Sequence, residues 1–301
     1  MNAINKAVGC SQSIAREEAA LVSEPLTGAK LTIGTGFKAR SFKAKDIGEA
    51  MDPLVMVDHY VMTEPTFGAH PHAGMSAVSL LFENSEGLFH NRDSLGNDFD
   101  LQPGDLYWLK AGSGAIHDES PRANTRTHAL QVFVNVPQAQ RFEAPNSLLV
   151  RAADMPVLRT AEHWVKVALG ETNNVRGAVS PSIPMTVLDG TIYAGGHFAH
   201  QSGVNQGVWI HAVQGSLDIV IDKRVSSITT GQALAIGTDR GAEITIRNPL
   251  SKPAHFALFD GAKINEHFIH DGPFVMGSAQ QITDINAAYK AGQLGGIPNN
   301  H

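Results

Sequence analysis

The chain has 301 residues, 43% of them apolar, with 23 basic against 29 acidic side chains and a net charge of −6. That length suits one large or two ordinary domains with a sizeable core, and the composition excludes wholesale disorder. No basic run serves direct nucleic-acid binding, and no stretch of about 18 apolar residues serves to span a membrane.

The N-terminus, MNAINKAVGCSQSIAREEAALVSEP, lacks a continuous apolar segment of the secretory kind. It holds the single cysteine, Cys10, so no internal disulfide forms and a reducing, cytoplasmic location is expected. Residues 1–28 read as an extension, mobile or loosely docked. Residues 29–145 read as a first domain and 146–301 as a second.

The 29 glycines and 15 prolines fall at short intervals between apolar runs, the pattern of an all-β sandwich or barrel. TIGTGFKAR (32–40) reads as a hairpin, without the spacing of a phosphate loop. Strands are expected at 77–83, 87–93, 105–112 and 128–136, with turns at DSLGND (93–98) and QPGD (102–105). A second set is expected at 165–170, 185–194, 207–222, 233–237, 242–248 and 255–261. QPGDLYWL and TTGQALAI share one grammar, so the two sets read as a duplicated barrel unit joined near 140–157. SAQQITDINAAYKAG (278–292) predicts a docking helix with Ser278 and Gln281 at capping-box spacing. Ile282, Ile285 and Tyr289 share one face, and Gly292 ends it.

The residues that carry chemistry are HPH (70–72) and, 45 positions on, IHDE (116–119). In a strand, residues i and i+2 point the same way. His70 with His72, and His117 with Glu119, would therefore bring three imidazoles and one carboxylate to one centre from neighbouring strands. That donor set suits a divalent ion such as iron, manganese, nickel, copper or zinc. On an octahedral metal it leaves two positions open, which suits Fe(II) and dioxygen chemistry, whereas zinc prefers four-coordinate closure. In a chain with 14 histidines, a decorated turn remains the alternative on pattern alone.

With DPLVMVDHY (52–60), NRDSLGND, LQPGDLYWLKAGSGAIHDE, HALQVFVNVP and, late in the chain, GPFVMGS, the sequence resembles the pirin family from about residue 30 to 295. The resemblance implies a bicupin: two β-barrel cupin domains side by side, with one metal, usually iron, held in the first by His70, His72, His117 and Glu119. Manganese, nickel, copper, cobalt or zinc would fit the same donors. It also implies two roles. One is a quercetin 2,3-dioxygenase opening flavonol-like phenols with O2, toward which the reading leans. The alternative is a non-enzymatic, metal-dependent regulator that binds a transcription factor or a metabolic enzyme. Neither role calls for direct nucleic-acid or membrane contact.

The chain departs from the family at HPHAGMSA, where HPHRGFET is usual: Ala73 replaces a charged residue and Ser76 a glutamate. Both are expected to thin the surroundings of the metal, and Glu119 then becomes the best local base. In the second domain His197 and His200 are three apart, on opposite faces of a strand, and no histidine corresponds to His117. That barrel is read as metal-free. His211 lies nearby. His59 reads as a core or surface residue rather than a pocket residue, Asp118 as pointing away from the site, and Ser94 as a turn residue. Met56, Met62 and Met75 read as pocket packing.

Overall fold

The computed structural model describes residues 20–297. The expected extension lies outside the described residues as far as residue 19, and Cys10 with it. Leu21–Val22 and Leu26–Thr27 are not loose: both pair antiparallel with the strand Gln232–Thr238.

Two barrels of one plan make up the rest. In the first, a seven-stranded sheet runs in the order Asn146–Val150, Leu106–Lys110, Met75–Leu81, Thr127–Asn135, Leu54–Met62, Phe37–Lys43, Ala29–Ile33. It faces a four-stranded sheet in the order His70–His72, Ala115–Pro121, Phe89–Asp93, Asp98–Leu101. In the second, the large sheet has Gln232–Thr238, Gln206–Gln214, Ala254–Ala262, Met185–Ile192, His163–Leu169 and Val157–Arg159 in the matching places. Its small sheet has His197–Ser202, Ala242–Arg247, Ser216–Ile221 and Arg224–Thr229. The duplicated grammar of the sequence is thus a duplicated strand order.

The two large sheets pack back to back. Val57, Val78, Leu80, Trp108, Leu130 and Val132 of the first barrel join Leu169, Val187, Trp209, Ala235 and Phe259 of the second in one core. Strands in these sheets are covered on both faces and read as unbroken apolar runs; Met75–Leu81 is buried at every position. The outer strand Ser216–Ile221 has one wet face and alternates. Each large apolar side chain in this shared core contributes about 1.5–3 kcal/mol.

After the last strand of the second barrel the chain returns to the first. A hairpin, Ile269–Asp271 with Phe274–Met276, lays the Val275 N–H on the Ala73 carbonyl at 3.0 Å. The helix Ala279–Lys290 follows, its Ser278 hydroxyl accepting from the Gln281 N–H at 3.2 Å. Ile282 and Ile285 bury against Ala73, Phe274 and Met276. Tyr289, expected on the same face, is 37% exposed. Gly292 turns the chain just past the helix with a φ of 72°. No helix among the described residues is long and apolar enough to cross a membrane.

Candidate metal centre

Register places the site. His117 pairs directly with His70 across the small sheet of the first barrel, and Ala115 with His72. With a period of two, His70, His72, His117 and Glu119 therefore all project from the inner face. Strand propensity alone would not hold a His-Pro-His segment here. Its three residues lie at the sheet edge, where the missing Pro71 N–H costs no ladder bond.

Three ring nitrogens converge. His117 Nε2 lies 3.0 Å from His72 Nε2 and 3.0 Å from His70 Nε2. The far side of two rings is tied to backbone: His70 Nδ1–H donates to the Gly68 carbonyl at 2.8 Å, and His72 Nδ1–H to the Pro273 carbonyl at 3.2 Å. Those bonds fix the tautomer and leave both Nε2 lone pairs aimed inward. Burial holds all three imidazoles neutral: His70 is lowered, His72 is pushed down to about 3, and His117 falls well below its usual range. Facing lone pairs this close need a cation or a shared proton between them. The donors fit a single divalent metal ion.

Glu119 is close by but turned aside. Its Oε2 is 3.8 Å from His117 Nδ1, beyond hydrogen-bond range, and that nitrogen has no partner. The carboxylate accepts instead from the Ser79 hydroxyl, at 2.8 Å to Oε1 and 3.1 Å to Oε2. Burial pushes its carboxyl up to about 7, against the lowering effect of that bond. The structure thus brings the three histidines together and ties the carboxylate to Ser79 beside them.

Ser79 belongs to the facing sheet. Tyr107, Ser79, Gln131, Asp58 and Ser41 pair in turn across neighbouring strands and form one polar row. The Tyr107 hydroxyl closes the barrel by donating to Asp93, which pairs with His117 in the small sheet. Between the two walls lies a cavity of about 440 Å³. The histidines, Glu119, Asp58, Tyr60 and Gln131 line it among Phe37, Met56, Met62, Phe67, Phe89 and Phe133.

The other candidates fall into place. Met56 and Met62 line the cavity, and Met75 packs beside it. Asp118 points away and pairs with Arg92 at 2.8 Å. The Ser94 hydroxyl accepts from the Ile116 N–H in its turn. His59 faces the seam between the barrels, where it meets His128 and His211. In the second barrel His197 pairs with Glu162 outside, while His200 is bound inside to Thr172 and Asp260.

One expectation needs correction. Ser76 does not border the metal centre: it shares the seam face of its strand with Val78 and Leu80 and donates to Ser182 at 3.2 Å. Ala73 is buried against Phe274 and the C-terminal helix. The two departures from the family pattern therefore change the packing around the site, not the wall of the cavity. Missing from the sequence reading were Asp58, Ser79, Gln131 and the Pro273 carbonyl. A charged residue in the run VMVDHYVM was the one available signal, since Met56, Asp58, Tyr60 and Met62 share a face.

Comparison with known proteins agrees with this geometry. The family model described as Pirin matches residues 34–134, and that of the pirin C-terminal cupin domain matches 187–295. Mouse pirin is 27% identical over 251 residues, 83% of this chain and 85% of its own. The crystal structure of a quercetin 2,3-dioxygenase from Acinetobacter baumannii superposes with a TM-score of 0.81 at 22% identity, covering 93% of this chain and all of that one (100%). The Escherichia coli pirin YhhW in complex with nickel(II) superposes at 0.61 and 18% identity, over 81% of this chain and 100% of its own. With both halves matched and two barrels in place, the chain belongs to the pirin family of bicupins.

Proposed function

We propose that the protein is a metal-dependent dioxygenase for flavonol-like phenols, with His70, His72, His117 and Glu119 as ligands and iron as the first choice of metal. The observation that supports this most is the apolar cavity that opens directly onto the three imidazoles. A binding surface for a protein partner would not need an internal chamber walled by four phenylalanines.

A bound divalent metal supplies Lewis acidity toward an ionised phenolic hydroxyl and a path for electrons to dioxygen. The chain's own residues do the rest. Phe37, Phe67, Phe89 and Phe133 hold a flat ring system and exclude water. Glu119, released from Ser79 by a side-chain rotation, reaches the metal or takes the hydroxyl proton on its carboxylate. The Pro273 and Gly68 carbonyls keep the rings of His72 and His70 in place throughout.

The test is anaerobic loading with each candidate metal, addition of a flavonol, then oxygen. Oxygen uptake with ring-opened product is the expected result. Failure of every metal form to turn over any flavonol overturns the proposal, and a metal-dependent partner would then be sought.

A further inference from the structure

The cavity wall opposite the histidines carries a buried carboxylate that is short of hydrogen-bond donors. Asp58 is 8% exposed and its Oδ1 has no hydrogen-bond partner. Ser41, paired with Asp58 on the next strand, is the one side-chain donor set against this carboxyl. Beside Asp58, on the directly paired strand position, stands Gln131, whose amide has one end on Ser79 and the other buried without a partner. Both side chains line the cavity. An unmet acceptor in such a place costs about 1–3 kcal/mol, more when charged, and a donor entering the cavity would relieve it.

We propose that Asp58 and Gln131 form a subsite that reads a hydroxyl group of the substrate on the wall facing the metal centre. The inference rests on the cavity being the phenol-binding site and names the feature it selects: a second hydroxyl, apart from the one directed to the metal. The single Ser79 proton goes to Glu119, so the Gln131 amide turns its nitrogen to Ser79 at 3.0 Å. A substrate hydroxyl then gives its hydrogen bond to Asp58 beside the Gln131 amide oxygen. A carbonyl would leave Asp58 unmet. An ammonium would sit badly among Phe37, Met56 and Met62. Burial raises the Asp58 carboxyl, against the lowering effect of the neighbouring Ser41 hydroxyl and Lys43.

Binding to the metal-free protein, followed by fluorescence quenching, separates this from the chemistry. Two ligands suffice: 3-hydroxyflavone, and a flavonol with hydroxyls on its other rings. The wild type is expected to prefer the polyhydroxylated ligand by about tenfold or more. Asp58→Leu should abolish that preference, weakening the polyhydroxylated ligand about tenfold relative to 3-hydroxyflavone. The same variant, without ligand, should melt at a higher temperature than the wild type, because an unmet buried carboxylate is gone; a merely structural Asp58 would give a lower one. Asp58→Asn, closest in shape, should keep the fold and lose most of the preference. If both variants retain the wild-type preference, the subsite is wrong although the cavity still binds phenols. If neither flavonol binds the wild type, the phenol reading fails and the subsite with it.

Discussion

The Ser79 hydroxyl, on the large sheet of the first barrel, donates to Glu119 Oε1 on the small sheet at 2.8 Å. This bond, together with that of Tyr107 to Asp93, ties the two walls of the cavity, and it parks the carboxylate beside the histidines instead of among them. Ser79→Ala removes the donor and leaves a buried carboxylate without its hydrogen bond. The metal-free variant is expected to lose about 1–3 kcal/mol of stability. With saturating metal the loss should shrink, because the ion then takes the carboxylate. Urea unfolding with and without metal measures both; an equal loss in the two conditions would count against Glu119 as a ligand.

Gly74 follows the HPH strand with a φ of 74°, and a Cβ there would lie 1.9 Å from the Val275 carbonyl oxygen. Only glycine lets the C-terminal hairpin approach so closely. That hairpin also carries the Pro273 carbonyl that orients His72. Gly74→Ala is predicted to destabilise by about 3 kcal/mol and to weaken metal binding together with stability. Calorimetric metal titration on the folded variant checks the second half: unchanged affinity would mean the hairpin does not orient His72.

Acid should open the seam between the barrels. His128 Nδ1–H donates to Asn84 Oδ1 at 2.7 Å, His128 Nε2 meets His59 Nε2 at 2.6 Å, and His59 Nδ1 meets His211 Nε2 at 2.9 Å. Burial pushes His59 down to about 3 and His128 to about 4, and holds His211 well below its usual range. The unfolded chain takes up these protons near pH 6.5, whereas the folded chain resists. Stability is therefore full above about pH 6.5 and falls as the pH drops toward the folded values, by about 2 kcal/mol for His59 alone between pH 6.5 and 5. Denaturant midpoints at pH 7 and pH 5 should differ less in His59→Phe than in the wild type. The same difference in both proteins would remove His59 from the account.

Much of this was legible in the sequence, for physical reasons. Strand positions followed from β-branched and aromatic runs between Gly and Pro turns, and the hairpin expected over 32–40 formed from Ala29–Ile33 and Phe37–Lys43. The His-x-His and His-x-Glu spacings announced shared faces, which register then made into a centre. What long-range pairing decides was not legible. Nothing local says that Ser79 meets Glu119, that residue 273 returns to His72, or that His59 and His211 are neighbours 152 positions apart. At Ser76 spacing from a histidine does not give facing: a turn at Gly74 resets the alternation between His72 and the next strand.

The central claim is one divalent metal held by three histidines in the first barrel. Elemental analysis of protein purified without chelators tests it most directly, on the wild type and on His70→Ala with His117→Ala. One metal ion per chain in the wild type and none in the double variant is the predicted result. A wild type that takes up no metal after reconstitution, or a double variant that keeps its full complement, would contradict it.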